Sequence, residues 1–107
     1  VKVLKITGRM SVKRLRKELY EKEGLRIRVY ASATSNEIAA DDSTLHKVSF
    51  MRIPTSFVEL RGNMLVENFE KMFLERFGLR IEVLNKEGET ISKDLSLNKA
   101  SLKEQVV

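Results

Sequence analysis

Cysteine is absent and histidine occurs once, as His46. Without thiols the chain has no disulfide, no thiolate nucleophile and no Cys-based zinc site. A single imidazole excludes a multi-histidine metal site within one copy. Tryptophan is missing, and proline occurs once, at Pro54. No apolar run approaches the roughly 18 residues that a membrane-spanning helix needs. No signal-peptide pattern opens the chain. The expected setting is therefore cytoplasmic, with no membrane partner. A chain that opens on Val1 fits a domain cut from a longer protein or a processed terminus.

What is present is 107 residues, 42% hydrophobic and 33% charged. That is too apolar for a disordered tail and long enough for one domain. A chain of this size buries roughly 65% of its unfolded surface, so it folds without metals or staples.

Internal similarity is the clearest feature. Gly24-Leu25-Arg26-Ile27-Arg28-Val29 recurs, at an offset of 54, as Gly78-Leu79-Arg80-Ile81-Glu82-Val83. Without gaps the same offset pairs Gly8 with Gly62, Met10 with Met64, Val12 with Val66, Lys17 with Lys71 and Glu21 with Glu75. Val3 to Val29 yields 10 identities in 27 positions, against about two for random pairing. Further on the offset is 52, and Asp42 to Val48 meets Asp94 to Ala100. The chain reads as a duplication, one domain over 1–107 with repeats at about 1–47 and 56–107, joined by 48–55.

Each repeat helps to read the other. Val12, Leu15 and Leu19 fall on one helical face, as do Val66, Phe69 and Phe73. In the second repeat Leu65, Met72 and Phe77 widen that stripe into a spare apolar surface. Both patterns stop at Gly-Leu, where glycine takes the left-handed C′ conformation and leucine packs back. Helices are expected over 11–23 and 65–77, with Ser11 as an N-cap. Val3 to Ile6, Leu25 to Ala31, Phe57 to Leu60 and Leu79 to Leu84 read as strands. Asn85 to Gly88 reads as a hairpin turn returning through Glu89 to Ile91. Thr34 to Asn36 plays that part in the first repeat, returning through Glu37 to Ala39. A turn or short helical piece is expected at 42–48 and at 96–103, and Val48 to Ile53 reads as a further strand. The fold class is α+β, with β-α-β-β units forming a two-layer sandwich and both helices on one face of a shared sheet. A ferredoxin-like arrangement is the nearest common analogue of this element order, and it carries no function by itself.

Catalytic motifs are missing. No Gly-x-Ser-x-Gly, His-x-x-x-His or phosphate-binding Gly-x-x-x-x-Gly-Lys-Ser/Thr occurs. Gly8 and Gly62 precede helices, where a phosphate could sit, but one glycine per turn reads more simply as a sharp turn. His46 has Asn98 as its counterpart and reads as a solvated turn residue rather than a general base. Asp41-Asp42 makes a poor cation cage and reads better as a cap for the next turn. The expectation is no enzyme, no cofactor and no metal.

Charge points outward more than any motif. Residues 1–30 hold ten Lys or Arg against three Glu, and residues 31–107 hold ten against twelve acids. Lys5, Lys13, Arg16 and Arg28 align with Glu59, Glu67, Glu70 and Glu82, four inversions of sign. Arg9, Lys13, Arg14, Arg16 and Lys17 are expected on the exposed face of the first helix. Arg26, Arg28 and Tyr30 alternate with Ile27 and Val29 and are expected on the far side of the layer. These eight residues are the candidate partner-binding set.

Two readings follow. One is a non-catalytic interaction or assembly module that meets an acidic protein surface or self-associates through its oppositely charged halves. The other is a nucleic-acid-binding domain using the basic first repeat. The aromatic consensus of an RNA-recognition sheet is absent. No residue singles out a small regulatory ligand.

Overall fold

A computed structural model describes residues 2–101 of the chain. Along it run β1 (Lys2–Ile6), α1 (Val12–Glu23), β2 (Arg26–Val29), α2 (Leu45–Val48), β3 (Ser56–Leu60), α3 (Val66–Phe77), β4 (Ile81–Leu84) and α4 (Leu97–Ala100). The architecture is a compact α+β one, with two small antiparallel sheets and four helices among the described residues.

Both sheets pair a strand of the first half with one of the second. In β1–β3, Leu4 faces Val58; in β2–β4, Arg28 faces Glu82. Those two facing pairs each join residues 54 apart, the offset of the sequence repeat. Alternation explains which faces are buried. Leu4, Ile6, Val58 and Leu60 enter the core, while Val3, Lys5, Phe57 and Glu59 stay outside.

The single shared sheet expected from the sequence is not what forms. The four named strands divide into two pairs, so a ferredoxin-like sheet of four strands is absent among the described residues. The returning segments shrink to isolated bridges, Tyr30 with Ile38 and Leu84 with Thr90. Their turns are nonetheless closed. Asn85 accepts the Glu87 and Glu89 N–H groups on its side-chain oxygen, and Gly88 takes a positive φ of 81°. In the first half a wider loop closes by Ala31 N–H to the Glu37 carbonyl at 2.8 Å.

Both long helices begin one residue after the expected start, because Ser11 and Leu65 are N-caps. Ser11 Oγ accepts the Arg14 N–H at 3.1 Å. Leu65 has no hydroxyl to offer, yet the first donors of the helix it precedes find acceptors. Val66 and Glu67 donate their N–H groups to the Leu95 and Lys93 carbonyls, as Val12 and Lys13 donate to those of Ser43 and Asp41. Backbone carbonyls thus take the first two orphan donors of each helix start. At the other end Gly24 (φ 67°) and Gly78 (φ 63°) close each helix in the left-handed region. The leucines that follow, Leu25 and Leu79, are fully buried.

One core joins both halves. Leu15, Leu19, Ile27, Phe69, Phe73 and Ile81, the apolar positions shared by the two repeats, are all buried in it. Phe69, Phe73 and Phe77 form a tilted series with ring centroids 5.1 and 5.5 Å apart. Most of the expected spare stripe on α3 is therefore core: Phe77 is buried and Met72 packs against it, while Leu65, the N-cap, stays exposed.

The strand expected at Val48 to Ile53 is also absent. Val48 ends α2 and is buried, Ile53 is buried, and the residues between them are tied to the end of α3. Ser49 Oγ lies 2.5 Å from the Phe77 carbonyl, and Phe50 N–H reaches the Gly78 carbonyl at 3.3 Å. With its backbone engaged there, this segment has no strand to pair with. The second short helix is α4, Leu97–Ala100, with Ser96 as its cap; expected positions 102 and 103 lie outside the described residues.

Candidate functional site: a basic groove between α1 and β2

The sequence pattern places Arg16 and Lys17 on one side of the layer and Arg26 on the other. The structure brings them together. They line a groove of about 510 Å³ between α1 and β2, joined by Tyr20 and Lys86. Its remaining lining is Leu25 and Ile27, both buried in the core. No carboxylate lines it. A smaller pocket that shares Arg16, Arg26 and Ile27 extends to Arg28 and Gly88.

Local geometry explains the convergence. Arg16, Lys17 and Tyr20 stand at i, i+1 and i+4 on α1, on one flank of the helix. Arg26 opens β2 and bends toward the β4 turn, where its guanidinium donates to the Lys86 carbonyl at 3.0 Å. Arg28 donates to the next glycine's carbonyl, that of Gly88, at 3.2 Å. Arg26 spends one of its five donors on this bracing, whereas Arg28 is engaged by the Tyr30 hydroxyl as well. Lys86 is carried into the groove by the turn they hold.

The cations are not equally free. Arg16 pairs with Asp41 at 2.9 Å, and Lys17 lies 4.0 Å from Glu21. Lys13 and Arg14 sit outside the groove on the outer face of α1, beside Glu18 and Glu21. Arg14 lies 3.8 Å from Glu18. Arg9 is exposed in the turn before α1. The outer helix face is thus a mixed-charge surface; the groove lining itself has no carboxylate, with Arg16 and Lys17 answered by acids outside it and Arg26 and Lys86 without an ion pair among the described residues.

Tyr30 departs from the expected set. It is only 6% exposed. Its hydroxyl donates to Glu82 Oε1, and the Arg80 guanidinium covers its ring at 4.3 Å from the centroid. The ring is used inside the molecule and offers no stacking face. Its hydroxyl, assisted by the charge of Glu82, raises the pKa of Arg28 above its ordinary value. That group is already a permanent cation, so the effect is to fix its place rather than its charge.

The second half has a groove at the aligned place, about 480 Å³, between α3 and β4. There Glu67, Glu70 and Glu82 stand among Lys71, Arg80 and Lys93, and Leu74 occupies the position of Tyr20. Glu70 is 14% exposed, takes Lys93 Nζ at 2.6 Å and accepts the Val83 N–H at 2.8 Å. This groove is charge-balanced where the first is basic.

The weaker candidates resolve individually. At the helix N-termini after Gly8 and Gly62 the first two N–H groups of each helix already bind carbonyls, which leaves little for a phosphate. Both glycines instead let a side chain lie close: a Cβ would overlap the His46 imidazole at Gly8 and the Asn98 amide at Gly62. Asp41 does not cap α2. Thr44 holds that position, and Asp41 is engaged by Arg16. Among the described residues no group of three or more acids or histidines could hold a metal, and no helix is long and apolar enough to cross a membrane.

Tyr20 and Lys86 are the groove residues that sequence reasoning missed. Tyr20 reads as one more helix surface residue, and Lys86 lies in the turn beyond the second repeat's strand. The available signal was the identity of Arg26 and Arg80 within the repeat. Each braces a loop of the opposite half, at Lys86 and at Ser35 respectively.

Compared with known proteins, the chain matches no family model, no curated protein and no solved structure.

Proposed function

We propose that this chain is a non-catalytic interaction module whose first half holds an acidic partner on the α1–β2 groove and the adjoining basic residues of α1. The observation that carries this reading is a groove lined by Arg16, Lys17, Arg26 and Lys86 with no carboxylate. Clustered like charges repel, and a fold gains little by gathering them. Their summed field attracts and orients a negative surface. The charge-balanced groove of the second half marks this as a property of one half only.

Self-association through opposite halves has less support than an acidic partner. Two of the four sign inversions are answered inside the molecule. Arg16 with Asp41 and Glu70 with Lys93 are matching ion pairs of reversed polarity, and Arg28 faces Glu82 directly. We also propose that the two halves descend from one β-α-β unit, packed as two layers, as the matching caps and ladders suggest.

The test is a Lys13, Lys17, Lys86 triple change to Glu. Arg16 stays, because reversing it would set two acids together at Asp41. The variant should keep the parent's circular dichroism spectrum and lose salt-sensitive binding to polyanions. If it binds them as the parent does, the groove is only a solvated surface.

A further inference from the structure

We infer that the α1–β2 groove is a single-stranded nucleic-acid site, in which a base stacks on Tyr20 and neighbouring phosphates meet Lys17, Arg26 and Lys86. The inference rests on the acidic-partner reading above and names the partner's class. Tyr20 is 52% exposed and lines the groove on the same flank of α1 as Lys17. Beneath it lie the apolar side chains of Leu25 and Ile27. Both are closed off in the core, so what the groove offers a ligand is the exposed Tyr20 ring beside its cations.

That combination discriminates between partners. A segment made only of acidic residues would satisfy the cations but leave the half-exposed Tyr20 ring uncovered. A duplex would present phosphates, but its bases are stacked within and cannot reach a side chain on a groove wall. An unpaired strand offers both chemistries at once, a π-face and a phosphate for every nucleotide. The rest of the molecule supplies the contrast. Tyr30 is closed off by Arg80 and Glu82. The aligned groove in the second half has Leu74 in place of Tyr20 and three carboxylates in its lining.

Arg26 is suited to the phosphate role. Its guanidinium is oriented by the Lys86 carbonyl, which keeps its other donors available beside the Lys86 side chain. With the Arg26 guanidinium fixed on the Lys86 backbone and the Lys86 side chain in the same lining, two cations share a groove without a carboxylate, a local field that an anion relieves.

The experiment measures binding of labelled oligothymidine and oligouridine to the whole chain by fluorescence anisotropy, over a range of salt. Duplex DNA and polyglutamate serve as competitors. Parent affinity should fall with salt with a log–log slope of about −2, as three phosphate contacts on a single strand require. Tyr20→Ala should weaken binding about 5- to 100-fold and Tyr20→Phe should largely restore it. Leu74→Ala, in the second groove, should leave binding unchanged. Lys86→Ala should lower the slope by about 0.7. If Tyr20→Ala binds as the parent does while a Lys17, Lys86 double change to Glu still weakens binding, the stacking site is refuted and the basic-surface reading survives. Polyglutamate or duplex competing as well as the single strand refutes it likewise. If the charge changes have no effect either, both readings fall.

Discussion

Arg28 stands directly opposite Glu82 in the β2–β4 ladder, and the two are 54 residues apart, at aligned positions of the repeat. When a strand pairs antiparallel with its own counterpart, the central residue meets its own equivalent. With the same charge at both positions, like charges would face each other, which is destabilising in a ladder. Inverted sign at this place is what intramolecular pairing favours. The expected outcome is that Arg28→Glu or Glu82→Arg alone lowers the melting temperature, while the double exchange recovers part of the loss. Full additivity in thermal melts would show that the two side chains do not interact.

The ion pairs Arg16–Asp41 and Glu70–Lys93 occupy aligned places with reversed polarity but unequal burial. The Arg16 side chain is 42% exposed and that of Glu70 is 14%. Arg16→Ala should cost about 0–1 kcal/mol, as exposed pairs do. Glu70→Ala also strands the Val83 N–H and should cost about 1–3 kcal/mol. Denaturant melts separate the two. An Arg16→Glu, Asp41→Lys exchange should restore what Arg16→Glu alone loses.

Phe69 is fully buried at the start of the phenylalanine series and touches Phe73. Phe69→Ala removes a large side chain from a core common to both halves and should cost about 3–5 kcal/mol. A loss under about 1 kcal/mol in equilibrium unfolding would mean the site collapses around the gap or was never tightly packed.

How far the sequence could be read follows from the range of each interaction. Helix ends were legible because Ser11, Gly24 and Gly78 act on their own helix within a turn. The core was legible because periodicity in two aligned copies gave the same inward positions. The division into two sheets was not legible: alternation at Leu4 or Ile27 gives a face but not a partner strand. The groove was missed for the same reason. Arg26 was assigned to a side of the layer by strand alternation alone, whereas its long side chain bends to the Lys86 turn, 60 residues away. Nothing local in the sequence reveals that Arg80 covers Tyr30.

Gly78 combines two constraints. Its φ of 63° is costly for any residue with a Cβ, and a Cβ there would crowd Ser49 Oγ, the Met51 side chain and the Met51 backbone nitrogen. Gly78→Ala should lose about 1–3 kcal/mol. The change should also loosen residues 49–51, visible as faster amide exchange at Phe50. A melting temperature equal to that of the parent would mean that the join between the halves shifts freely to make room.

Arg80 tests whether an arginine kept in both repeats is there for the fold. Its guanidinium lies over Tyr30 and donates to the Ser35 carbonyl at 2.9 Å, closing the loop after β2 onto the other half. A cation–π contact contributes about 0.5–1 kcal/mol at a partly exposed site, and a hydrogen bond of this kind about 0.5–1.5 kcal/mol. Arg80→Ala should therefore cost about 1–2 kcal/mol. Arg80→Lys should recover little of it, because an ammonium cannot lie flat on the ring while donating to a fixed carbonyl. Tyr30 should become more exposed in both variants, read as a rise in its accessibility to iodide quenching or nitration. Full rescue by lysine would show that charge alone matters at this position. In that case the identity of Arg26 and Arg80 in the repeat would need a cause other than the bracing of opposite loops.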